Sequence, residues 1–200
     1  MFADIKNFIT VKYDRKKVES PPPWLDLPTK SLANHIEVQD KLFWQLAKQI
    51  RLIYPQATLH VITNQDHENR SRIIFHKLPI PSSHLAKLYM YGLIDEPAMY
   101  IDSDILIVSK FLQKHIDING PFNFYGKSGA GVHSDMQLHA SNPLPVKMNF
   151  IYNAGLVWVS NPSQQIVEEM RSLHEKYFSD KKIEQKIGFE IADEHCSTLY

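Results

Sequence analysis

Two acidic residues interrupt an apolar stretch near the middle of this chain. Asp102 and Asp104 are separated only by Ser103 and lie between the apolar runs 98–101 and 105–108. Residues i and i+2 of an extended strand project from the same face, so the two carboxylates repel each other unless a cation binds them or one is protonated. Carboxylates suit Mg²⁺ or Mn²⁺, which also bind phosphate oxygens. The pair predicts a divalent-metal site; the alternative is a polar strand end that holds no ion.

The elements around this pair predict an α/β fold with a mainly parallel central sheet flanked by helices, because strand-like and helix-like segments alternate. In such sheets ligands collect at the carboxyl ends of the strands, where the acid pair would lie. Strands are predicted over 8–11, 58–63 and 72–75, with a further apolar run at 156–159. Helices are predicted over 31–54, over 83–92, and from Asn161-Pro162 onward with a buried stripe of Ile166, Met170, Leu173 and Tyr177.

The segment 119–147 differs from the rest of the chain in composition. It holds four of the seven glycines and three prolines. A loop of this length in a compact domain is usually a lid, a binding loop or disordered. We therefore predict a single domain over 1–200 that carries a flexible loop at about 119–147.

Composition limits the classes of partner and compartment. The chain has 200 residues with 22 basic and 22 acidic side chains, so no long-range field favours nucleic acid or anionic lipid. Cys196 is the single cysteine, which suits a reducing compartment. No apolar run is long enough for a transmembrane segment, and the N-terminus lacks the pattern of a signal peptide. The expected location is cytoplasmic.

The region 83–163 resembles the donor-site region of glycogenin-like glycosyltransferases, which have the GT-A fold. That family has a basic residue before Leu on a helix, matched here by Lys87-Leu88, and then a strand ending in Asp-x-Asp-x-Leu, matched by residues 102–106. The segment 152–157 is similar to the family's aromatic-Asn-Ser/Ala-Gly-aliphatic motif, and Asn161-Pro162-Ser163 follows at the family's distance.

The resemblance implies a metal-dependent hexosyltransferase that takes a sugar from a nucleotide-diphosphate donor, a UDP-sugar in the first instance, with retention of configuration. Asp102 and Asp104 would hold Mn²⁺ or Mg²⁺ against the diphosphate, and Ser103 would lie against the ribose. Lys87 would help to neutralise the diphosphate; its structural alternative is a solvated helix lysine. Metal and lysine together would stabilise the charge that develops on the leaving group. The acceptor stays open: a glycan, a protein or a lipid-linked molecule.

Two further segments take their roles from the same resemblance. Asn153, Ala154 and Gly155 would form the floor under the donor sugar, although Asn and Gly are also the commonest turn residues. Asp193 would be the catalytic carboxylate that stabilises positive charge at the sugar carbon, although Asp often caps helices.

The chain also departs from the family's pattern. Family members continue to a His-x-x-Gly-x-x-Lys segment that supplies a third metal ligand, whereas this sequence ends at Tyr200 without one. The resemblance therefore predicts a C-terminally truncated domain or a partner that completes the site. Two other functions stay open: a degenerate module that binds a nucleotide sugar or a glycan without turnover, and a sugar-phosphate nucleotidyltransferase. The second would normally have a glycine-rich loop after the first strand, and 14–30 contains no glycine.

Overall fold

The computed structural model describes residues 5–13, 29–79, 83–110, 122–124 and 155–178. Within these ranges the strands are β1 Asn7–Lys12, β2 Thr58–Thr63, β3 Ile73–Lys77, β4 Ala98–Ile101, β5 Phe122–Phe124 and β6 Leu156–Val159. The helices are α1 Thr29–Ile53, α2 Ser83–Leu88, which continues into a 3₁₀ turn at Tyr89–Tyr91, and α3 Gln164–Phe178. None of the helices in the described ranges is long and apolar enough to cross a membrane.

The strands form one sheet in the order β3-β2-β1-β4-β6-β5. Four neighbouring strands, β3, β2, β1 and β4, run parallel, whereas β6 is antiparallel to both β4 and β5. The predicted fold class is therefore confirmed: a mainly parallel central sheet with helices on it. The antiparallel pairing of β4 with β6 brings Gly155, the residue before β6, beside Asp102.

Both faces of the sheet are covered, which explains why its strands are apolar almost throughout. On one face, α1 packs Phe43, Leu46 and Ile50 at helical spacing against side chains that include Phe8 and Met99. On the other face, α2 and α3 pack against alternate strand residues; the buried members there include Ile9, Ile62, Leu88, Tyr100, Val157 and Met170. The sheet thus holds the ends of its central strands rigidly.

The last helix begins later than the sequence predicts. We expected Asn161 to cap it with Pro162 in its first turn, but α3 starts at Gln164 and its cap is Ser163, whose Oγ accepts from the backbone N–H of Gln165 at 3.2 Å. The reason is tertiary, because the N–H of Ser163 donates to the carbonyl of Tyr91 at 2.6 Å and so fixes where the helix starts. The predicted stripe is otherwise present, with the side chain of Tyr177 outside the described part.

Two other segments complete the comparison with the sequence. The apolar run 105–108, for which no element was predicted, is not a strand, because a turn closed by the N–H of Ile105 and the carbonyl of Asp102 (3.1 Å) takes the chain off the sheet. Within the predicted loop 119–147, Phe122–Phe124 is strand β5, since it pairs with β6. The remainder of that loop lies outside the described residues.

Candidate functional site

The acid pair lies at a reversal in the order of the sheet. From β1 the chain proceeds to β2 and β3 on one side, and β4 then returns to the other side of β1. The carboxyl ends of β1 and β4 therefore lie at a topological switch point, the usual place for a ligand in an open α/β sheet. Asp102 is the first residue after β4, so it stands at this switch point.

Asp102 is held by three contacts. Its backbone N–H donates to the carbonyl of Gly155 at 2.8 Å, which extends the pairing of β4 with β6 by one further bond. Its carboxylate accepts from the Tyr100 hydroxyl at Oδ1 (2.5 Å) and from the Lys87 ammonium at Oδ2 (3.0 Å). The side chains of Lys87 and Asp102 are only 17% and 26% exposed, so this ion pair is screened less than one on the open surface. Asp102 is thus fixed in orientation.

Ser103 and Asp104 form the turn that follows. The hydroxyl of Ser103 lies 3.5 Å from Oε1 of Gln39 on α1, and Asp104 is exposed. A divalent ion would find the carboxylate of Asp104 and the remaining lone pairs of Asp102, all hard oxygen donors. The described part of the chain contains no group of three His, Cys, Asp or Glu that could hold a metal. Two carboxylates are the kind of donor set that suits an ion such as Mg²⁺, which keeps several waters and takes phosphate oxygens as further ligands.

A second lysine stands at the end of β1, the strand beside β4. Lys12, the last residue of β1, pairs with Asp40 of α1 at 2.6 Å and lies 5.6 Å from the ring of Phe43. Lys12 is thus paired on the face of the sheet that α1 covers, whereas Lys87 is paired with Asp102 on the face that α2 covers.

The structure brings together Lys87, Asp102 and Gly155 and places Ser103 and Asp104 beside them. The predicted residues Asn153, Ala154 and Asp193 lie outside the described residues. The sequence interpretation missed Tyr100, which is fully buried and donates to Asp102. The sequence does contain a signal for this contact, since Tyr100 precedes Asp102 by two positions on an extended segment and therefore projects from the same face.

Solved structures share this fold. The glycosyltransferase GlyE of Streptococcus pneumoniae TIGR4 matches 98% of this chain at 13% identity with a TM-score of 0.57, and its apo form matches 96% at 12% identity with 0.55. The galactosyltransferase LgtC, solved with donor and acceptor sugar analogs, matches 90% at 14% identity with 0.55. These likenesses identify the fold as the GT-A type. The chain spans 43% of the GlyE chain and 68% of the LgtC chain.

Neither a protein-family model nor a curated protein matches the sequence.

Proposed function

We propose that this chain is a glycosyltransferase domain that takes a sugar from a nucleoside-diphosphate sugar, with a UDP-sugar as the first candidate. The observation that carries the proposal is the position of Asp102: at the switch point of a GT-A-type sheet, anchored to Gly155 and paired with Lys87. LgtC, which shares the fold, was solved with donor and acceptor sugar analogs. A sugar donor is therefore the substrate class to test first.

The proposed chemistry is the departure of a nucleoside diphosphate from the sugar. Mn²⁺ or Mg²⁺ held by Asp102 and Asp104 would supply positive charge for the leaving diphosphate. Lys87 would add a charge-assisted hydrogen bond to the same group, and its partly buried position strengthens that bond. The backbone bond to Gly155 and the Tyr100 hydroxyl already orient Asp102, so Lys87 is the one of its three partners that would have to move when the donor binds.

The other roles follow from the resemblance in sequence. Ser103 would contact the ribose, and Gly155 with Asn153 and Ala154 would line the donor sugar. Asp193 would stabilise positive charge at the sugar carbon in the transition state.

A thermal-shift screen of nucleotide sugars, each with and without Mn²⁺, tests the proposal. A ligand at 100 times its Kd stabilises the folded state by about 2.7 kcal/mol, or about 5–10 °C in Tm for a domain of this size. We expect the shift for one or more UDP-sugars in the presence of Mn²⁺ and little for the nucleosides. If no nucleoside-diphosphate sugar shifts Tm, the proposal is wrong.

A binding module without turnover, the alternative that the sequence leaves open, is the second candidate. It predicts the same thermal shifts. The two candidates differ in the hydrolysis of bound donor, since a transferase leaks sugar to water and a pure binding module does not. Release of free sugar over hours, measured with and without chelator, therefore separates them.

A further inference from the structure

The ion pair between Lys87 and Asp102 has a consequence for how ligands enter the site. Both oxygens of the Asp102 carboxylate have a donor, Tyr100 on Oδ1 and Lys87 on Oδ2. Of these two donors only Lys87 carries a charge. A divalent ion that binds Asp102 therefore meets a like charge already seated on the same carboxylate.

The distances make this conflict direct. The Nζ atom of Lys87 is 3.0 Å from Oδ2, and a small divalent ion lies about 2.0–2.1 Å from a ligating carboxylate oxygen. An ion on Oδ2, the oxygen that Lys87 contacts, would thus lie within about 5 Å of the ammonium, in a place where both side chains are mostly shielded from solvent. Metal binding on its own weakens the ion pair, and the intact ion pair weakens metal binding.

A diphosphate removes the conflict. Its oxygens bind a divalent ion and also accept charge-assisted hydrogen bonds from an ammonium. Lys87 can then exchange Asp102 for phosphate while the ion takes its place on the carboxylate. We propose that Lys87 makes the metal and the nucleoside diphosphate bind cooperatively, so that each binds poorly without the other. This inference rests on the proposed function and adds a regulation of the same site.

The coupling must be reciprocal. If the first ligand raises the affinity of the protein for the second by some factor, the second raises the affinity for the first by the same factor. The metal should tighten UDP binding as strongly as UDP tightens metal binding. Typical couplings of this kind change affinity by about 5–150-fold. Removing the charge of Lys87 should abolish most of that factor.

The test compares wild type with Lys87→Met, which keeps most of the length of the unbranched side chain and removes its charge. Free Mn²⁺ is measured by electron paramagnetic resonance with and without saturating UDP, and the Mn²⁺–UDP complex in solution is measured separately and subtracted. UDP affinity without metal is measured by calorimetry. Lys41→Met is the matched control, since Lys41 forms an exposed ion pair with Glu37 on α1.

In the variant we expect Mn²⁺ alone to bind about fivefold or more tightly than in wild type, and the coupling factor to fall about tenfold or more. Lys41→Met should retain the wild-type coupling. Near-ultraviolet circular dichroism verifies that the variants fold. A second variant, Lys87→Gln, is neutral but can still donate a hydrogen bond to Asp102. It should behave like Lys87→Met and replaces Lys87→Met if that variant unfolds.

Two outcomes are distinguishable. If wild type binds Mn²⁺ and UDP together and the neutral variants keep the same coupling, or bind Mn²⁺ alone more weakly, the inference about Lys87 is wrong while the proposed function stands. If wild type binds no UDP even with Mn²⁺, both the inference and its foundation fail.

Discussion

The backbone N–H of Asp102 donates a hydrogen bond to the carbonyl oxygen of Gly155 across 2.8 Å. The bond joins two segments that are far apart in sequence and that the sequence analysis singled out separately. It continues the β4–β6 ladder, whose last pair is Ile101 with Leu156. The acid that begins the candidate metal site is therefore positioned by the sheet itself and not by a loop.

Tyr100→Phe should weaken metal-dependent donor binding with the fold intact. The hydroxyl of Tyr100 holds Oδ1 of Asp102, and a hydrogen bond to a charged group contributes about 1.5–3 kcal/mol. Without it the carboxylate loses part of its orientation, so we expect UDP affinity in the presence of Mn²⁺ to fall roughly tenfold. Calorimetric titration measures this. Tyr54→Phe, at a buried tyrosine that packs on Phe8, is the control and should bind as wild type.

Gly92→Ala should destabilise the domain, because Gly92 packs directly on the start of α3. A Cβ atom there would lie 2.6 Å from the carbonyl oxygen of Ser163, which is backbone and cannot move aside as a flexible side chain can. Overpacking of this kind costs about 1–3 kcal/mol in the free energy of unfolding. Urea denaturation gives the value, with Ser172→Ala on the exposed side of α3 as control. A wild-type midpoint for Gly92→Ala would show that the contact between the 3₁₀ turn and α3 is looser than described.

A pair of histidines between β2 and β3 should make stability depend on pH. Nδ1 of His60 lies 3.0 Å from Nε2 of His76. The pKa of His60 is lowered from 6.5 to about 4, mainly by burial and also by the neighbouring His76, while Glu96 partly opposes the shift. Burial also lowers the pKa of His76.

The direction of the pH dependence follows from the protons that His60 binds in the folded and in the unfolded chain. Between pH 6.5 and pH 4 the unfolded chain binds a proton at His60 that the folded chain does not, so stability is complete above 6.5 and is lost as the pH falls toward 4. By pH 5 the loss from His60 is about 2 kcal/mol. Urea denaturation at pH 7.5 and pH 5 measures it, and His60→Gln should reduce the difference by about that amount. An unchanged difference would mean that His60 is protonated in the folded state.

The elements that could be predicted from the sequence are those with a local signal. Strand β2 agrees with its prediction at both ends because a run rich in β-branched residues over 58–63 follows the helix stop at Pro55 and is followed by the polar Asn64. The start of α3 could not be placed, since the choice of Ser163 over Asn161 as cap depends on a bond to Tyr91 from another part of the fold. The antiparallel direction of β6 likewise has no local signal, because a strand buried on both faces reads the same in either direction.

The candidate site likewise has residues with a local sequence signal and residues whose role depends on the tertiary fold. Asp102 and Asp104 are evident from their spacing within an apolar stretch. Whether Lys87 meets Asp102 depends on how α2 packs on the sheet, and the sequence alone left it open between a site residue and a solvated lysine. Its side chain proves to be mostly buried and within 3.0 Å of the carboxylate.

The most direct test of the central claim is Mn²⁺-dependent binding of a nucleoside-diphosphate sugar to wild type and to Asp104→Asn. Asp104 is exposed, so the variant should fold as wild type does, and Asp95→Asn, at another exposed acid, is the control. Calorimetric titration should show at least a tenfold loss of affinity in Asp104→Asn, about 1.4 kcal/mol, and none in the control. Equal affinity of Asp104→Asn and wild type for the donor and for Mn²⁺ would contradict a metal-dependent donor site at this pair.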